Sequence, residues 1–164
     1  MLEKGLIEYF LPETRKFDKI IIKAIKMHNV LDLPSELEGV EAFQCELIRD
    51  ADRIDIFYSC TCEEQFDIVF ARKRESIIKD LNPEIILAMK KRKPVNLDLV
   101  RNSIDMLALR IALLSQFKFK EGLIYIKQKG YLDKMFSLFK KKTEGFSKDD
   151  IDWLKQYASK ILDL

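Results

Sequence analysis

The chain has 164 residues, of which 48% are hydrophobic and 34% charged, with a net charge of +2. That length fits one domain with a real core, and the near balance of charge argues against intrinsic disorder and against a dedicated nucleic-acid binder. Cys45, Cys60 and Cys62 lack a disulfide-framework spacing and read as reduced thiols; no apolar run approaches the ~20 residues of a bilayer span, and Met1 to Leu6 has no signal-peptide core. The expected location is the cytoplasm, with no membrane partner and with nucleic acid not the expected ligand.

Few breakers punctuate the chain, with 5 Gly and 4 Pro, which favours helices. Glu3 to Phe10 is short and amphipathic and ends at Pro12. Glu13 to Asn29 is predicted as a helix, with Phe17, Ile21, Ala24, Ile25 and His28 on one face and Lys16, Lys19, Lys23 and Lys26 mostly on the other. Pro34 lies in a loop over residues 32–39. The next predicted helix, Glu41 to about Tyr58, carries two apolar stripes, one of Phe43, Leu47, Ile54 and Phe57 and one of Cys45, Ile48 and Ile56, as a central helix does.

Residues 62–80 read as helix with a basic stretch, Arg72-Lys73-Arg74. Asn82-Pro83-Glu84 reads as a cap with proline in the first turn of a short helix to about Lys91. Lys90-Lys91-Arg92-Lys93-Pro94 is a basic turn. Asn96 or Asp98 then caps a long helix to about Phe117, and a further helix stops at Gly130, a plausible C-terminal cap. Tyr131 to Lys141 follows. Ser147 with Asp150 resembles a capping box opening the last helix, through Trp153, Tyr157 and Ile161. No sustained period-two alternation and no fixed repeat occurs, so the expected fold is all-α.

Two places carry candidate chemistry. His28 is the sole histidine; on an apolar helical face it reads either as a satisfied core residue at a helix C-terminus or as a ligand. In Ile48-Arg49-Asp50-Ala51-Asp52-Arg53-Ile54-Asp55, Asp52 lies four residues from both Ile48 and Ile56, and Asp50 shares a face with Leu47 and Ile54. A carboxylate in an apolar stripe is costly unless it is paired, here with Arg49 or Arg53, or bound to a metal. Cys60-Thr61-Cys62 has no second pair and is not expected to hold zinc. The runs Lys90-Lys91-Arg92-Lys93 and Lys140-Lys141-Lys142 have charge that phosphates would accept, but such runs are usually solvated turns.

His28-Asn29, a proline-containing loop, and then Arg49-Asp50-Ala51-Asp52-Arg53 resemble the later motifs of bacterial HD-domain metal-dependent phosphohydrolases. The stretch from Gly5 to Pro12 also looks like the segment that precedes them, and weaker similarity continues through Arg101 to Gly130. The resemblance implies a compact multi-helix HD-like array, with residues 1–58 as the later part of the core and residues 59–164 as a helical extension packed on it. It implies His28 and Asp52 as remnant metal ligands, and Asn29, Arg49 and Asp50 as groups beside the metal or substrate. Arg101 would meet a substrate phosphate. Intact relatives use a divalent metal (Mn, Mg or Fe) on a phosphorylated small molecule.

The family's first His and its His-Asp pair would lie upstream of Met1, and His28 is the only histidine here. Two protein ligands fall short of the three or more that a catalytic site uses. The expectation is therefore a truncated phosphohydrolase, inactive alone and with no assignable catalytic residue. No metal is expected on this chain alone, and the expected partner is an N-terminal chain or a second copy. The alternative is a non-catalytic interaction module whose Phe17, Ile21 and Ile25 face seeks a partner.

Overall fold

In the computed structural model, residues 16–30, 32–70 and 79–163 are described. Among them are eight α-helices and no strand, so the protein is all-α, as its periodicity predicts. The segments predicted over residues 3–10 and 71–78, with Arg72-Lys73-Arg74 and the Gly5 to Pro12 stretch, lie outside the described residues. The chain divides into two compact units, Met1–Asp52 and Arg53–Leu164. That boundary, like the expected one at residue 58, falls inside a single helix.

The first unit holds α1, Asp18–Met27, and the first part of α2, Gly39–Ser59. Lys23 of α1 donates to Glu41 of α2 at 2.6 Å. Its buried apolar side chains, among the described residues, are Ala24 and Cys45. Phe43 and Leu47, expected in a buried stripe, are instead 50% and 45% exposed. The buried line of α2 runs through Cys45, Arg49, Arg53 and Phe57 and on to Cys60 just past its end, spaced four, four, four and three residues apart. Two of its five members are arginines, so apolar residues alone point to the wrong face.

The second unit carries the core. Phe57, Phe70, Ile85, Met89, Ile104, Leu107, Ile111, Leu114, Ile126, Met135, Phe139 and Leu154 are fully buried. They come from the end of α2, from α3 (Phe66–Phe70), α4 (Pro83–Lys90), α5 (Ser103–Ala112) with the 3-10 turn after it, α6 (Lys120–Lys129), α7 (Tyr131–Lys142) and α8 (Lys148–Leu162). Tyr157 of α8 donates its hydroxyl to the Met89 carbonyl at the end of α4, at 3.2 Å. Three caps agree with the sequence. Asn82 accepts from the Glu84 N–H with Pro83 in the first turn; Ser147 accepts from the Asp150 N–H; and Gly130 takes a left-handed φ of 62°.

Three expectations are corrected. Asn96 caps only a 3-10 turn, Leu97–Leu99, and the helix expected from there to Phe117 is split. Asn102, fully extended at φ −149° and ψ −178°, interrupts the path and caps α5 afresh, and Leu113–Gln116 tightens into a 3-10 turn. The segment after Cys62 opens as a 3-10 turn, Glu63–Gln65, before α3. Asp150 does not complete a reciprocal capping box. Its carboxylate accepts from the Leu81 N–H at 2.9 Å and so ties the start of α8 to the chain before α4.

Candidate functional site

In the first unit the His-Asn element and the Arg-Asp-Ala-Asp element meet through one side chain. Arg49, buried on α2, donates from Nη1 to the Val30 carbonyl at 2.6 Å and to the Met27 carbonyl at 3.2 Å. These two carbonyls flank His28 and Asn29, so the guanidinium clamps the turn that follows α1 against α2. Buried carbonyls left over at a helix end need donors, and a planar guanidinium supplies several in one plane.

His28 sits at the C-cap of α1 with its ring exposed. Its Nδ1 contacts the Ile25 carbonyl at 2.5 Å. A carbonyl only accepts, so Nδ1 carries the proton and, in the neutral ring, Nε2 presents its lone pair outward. A metal-binding histidine is oriented in this way, by a backbone carbonyl on its other nitrogen. The same contact also serves as a plain helix-end hydrogen bond. Asn29 is exposed.

The carboxylates are placed differently from the expectation. Asp52 is exposed on α2, although Ile48 and Ile56 lie four residues to either side, because those two are only half-buried. Asp50 is the buried acid, 4% exposed, and it is engaged with its surroundings. Asp52 is thus open to solvent, whereas Asp50 and Arg49 are buried. Among the described residues no three His, Cys, Asp or Glu side chains converge where a metal ion could sit. His28 and Asp52 offer two donors, one fewer than a catalytic metal normally takes from protein, so the residues described do not fit a complete centre.

The second unit contains a polar cluster that the sequence reading missed. Asp105 is fully buried on α5. Its Oδ1 accepts from the Asn82 N–H at 2.7 Å, and its Oδ2 accepts from the Arg101 N–H at 3.0 Å and from Arg101 Nε at 3.1 Å. Asn82 donates its side-chain amide to the Leu99 carbonyl at 2.9 Å, and Asn102 donates its own to the Asp80 carbonyl at 3.2 Å. Arg101 Nη2 also donates to Asp80 O at 3.3 Å. The Arg101 guanidinium thus helps to close two loops, at residues 80–82 and 99–102. Asn102 three residues before Asp105 was a legible cap signal, obscured by the better-known pattern at Asn82-Pro83.

The cysteines are all free thiols. Burial pushes Cys60 up to about 12 and also raises Cys45, so neither is a ready nucleophile. Cys62 is half-buried with its Sγ 3.6 Å from the Tyr58 carbonyl. A groove of about 270 Å³ on α6, α7 and α8 is lined by Leu132, Phe136, Lys155, Ala158 and Leu162. It gathers no nucleophile–base pair. No described helix is long and apolar enough to cross a membrane. No family model, curated protein or solved structure matches the chain.

Proposed function

We propose that the chain is part of an HD-type metal-dependent phosphohydrolase, carrying the later half of the metal site and inactive by itself. The observation that carries this reading is the Arg49 clamp. It joins the His28-Asn29 turn to the helix bearing Asp50 and Asp52, the two elements on which the family resemblance rests. The outward Nε2 of His28 and the exposed Asp52 are the donors that a completing segment or partner chain would use. Asn29, Arg49 and Asp50 hold or flank them. A divalent ion (Mn, Mg or Fe) bound by the completed set would activate water toward a phosphate ester of a small molecule.

The test is turnover of p-nitrophenyl phosphate by the purified chain, with and without Mn²⁺ or Mg²⁺. The expected result is no metal-dependent release of p-nitrophenol. Robust turnover that Asp52→Ala abolishes would refute the inactivity.

A second reading is favoured by Val40, Phe43 and Leu47, three exposed apolar residues at spacings of three and four on α2. Such a stripe suits a helical module that self-associates or docks a partner. Sedimentation of a concentration series discriminates: a rising mass supports this reading, and a clean monomer at the highest concentration counts against it.

A further inference from the structure

We propose that the turn Lys90-Lys91-Arg92-Lys93 is a docking site for a nucleic-acid phosphate backbone, read for its charge and not for its sequence. The structure separates the two basic runs that the sequence presents as equivalent. In the run on α7, Lys141 and Lys142 both bind Glu63, at 2.8 and 2.9 Å. In the run after α4, all four cations are exposed, and none takes an ion pair or a side-chain hydrogen bond among the described residues. Residues 85–97 hold these four cations and no acid. Elsewhere Lys23 and Lys127 find carboxylates at 2.6 and 2.7 Å.

The backbone of the turn adds an independent observation. The Lys93 N–H bonds the Ala88 carbonyl at 3.0 Å and the Arg92 N–H bonds the Met89 carbonyl at 2.9 Å. This is the paired closure of a Schellman motif, in which the residue at the left-handed position is usually glycine. Here that position is Arg92, at φ 51°, the one non-glycine residue with positive φ among those described. A long side chain in that region is strained, and strain retained at an exposed position points to a role for the side chain. The C-terminal dipole of α4 accounts for Lys90 and Lys91, but Arg92 and Lys93 lie past the end of the helix.

The charge selects the ligand: four exposed cations in a row match the closely spaced phosphates of a nucleic acid. Gln116 donates to the Arg92 carbonyl at 3.4 Å and so ties the turn to the segment after α5. Arg92 brings a guanidinium fork suited to phosphate oxygens.

The test is binding of the full chain to a generic DNA duplex and to a single strand of equal length, by fluorescence anisotropy across a salt series. Four phosphate contacts on a duplex give a log–log salt slope of about −3.6, or ~150-fold weaker binding at ~200 mM than at ~50 mM salt. The K90Q/K91Q/R92Q/K93Q variant is expected to lose both the binding and the slope, and K141Q/K142Q to keep them. Arg92→Gly relieves the strain while removing one contact. It is expected to raise Tm by about 2–4 °C and flatten the slope by about 0.9. The proposal is overturned by no binding at low salt, by unchanged binding in the quadruple variant, or by equal loss in K141Q/K142Q. It is also overturned if the chain binds phosphatidylserine vesicles but neither nucleic acid, or if Arg92→Gly lowers Tm.

Discussion

Replacing Asp105 by alanine removes an acceptor that three donors share. The Asn82 and Arg101 N–H groups lose a charged partner, and Arg101 Nε loses its ion pair. Each buried N–H left unsatisfied costs about 1–3 kcal/mol, and breaking a buried charged pair by removing one partner costs about 3–5 kcal/mol in total. Because the two loops relax together, the effects overlap, and the expected loss is about 3–5 kcal/mol, against a total domain stability of about 5–15 kcal/mol. Arg101 is a sharp control. Its side chain is 35% exposed while that of Asp105 is fully buried, so Arg101→Ala gives up a partly screened pair and keeps its own N–H bonded to Asp105. That variant leaves the buried carboxylate its two N–H donors but no cation, and is expected to lose about 1–3 kcal/mol, less than Asp105→Ala. Urea denaturation followed by circular dichroism reads both at constant m. An Asp105→Ala loss below about 1 kcal/mol, or an Arg101→Ala loss equal to it, would refute the view that the buried carboxylate organises the two loops.

Further outcomes follow from the same structure. Arg49→Ala removes the donors to Met27 O and Val30 O and is expected to raise amide hydrogen exchange over residues 28–30, while Arg101→Ala leaves those amides unchanged; equal exchange in Arg49→Ala and the wild type would remove the clamp. Hydrogen bonds from Lys141 and then Lys142 hold the Glu63 carboxyl down at about 2. A lowered carboxyl pKa stabilises the fold above the ordinary value of 4.5, and this contribution is lost as pH falls from there through about 2. An NMR titration is expected to find the Glu63 midpoint near 2 in wild type and higher in K141Q/K142Q, and an unshifted midpoint in wild type would contradict the pairing. With Ellman's reagent under native conditions, Cys62 is expected to react first and Cys60 only on unfolding, because Cys60 is buried with its thiol at about 12; early modification of Cys60 would show that its burial is wrong.

Helix identity was legible where caps and breakers carry a mechanism. Asn82-Pro83, Gly130 and Ser147 mark their termini because an amide or hydroxyl oxygen, or a left-handed glycine, satisfies a specific orphan backbone group. The face of α2 was not legible. Its buried line includes Arg49 and Arg53, and a period counted over apolar residues alone places Phe43 and Leu47 inside and leaves the arginines out. The same reading put both Asp50 and Asp52 in apolar stripes, whereas only Asp50 is buried. The Asp105 cluster was missed because its partners are backbone N–H groups 23 and 4 residues away, and sequence spacing does not display backbone donors. The two basic runs look alike as strings; only the fold brings Glu63 to one of them.

We propose that His28 and Asp52 are two donors of an incomplete metal-binding set. Incubating the chain with Mn²⁺, passing it through gel filtration and measuring the metal retained per chain tests this directly. The expected result is no stoichiometric Mn²⁺ in the protein peak, in wild type and in Asp52→Ala alike. One Mn²⁺ retained per wild-type chain and lost in Asp52→Ala would contradict it.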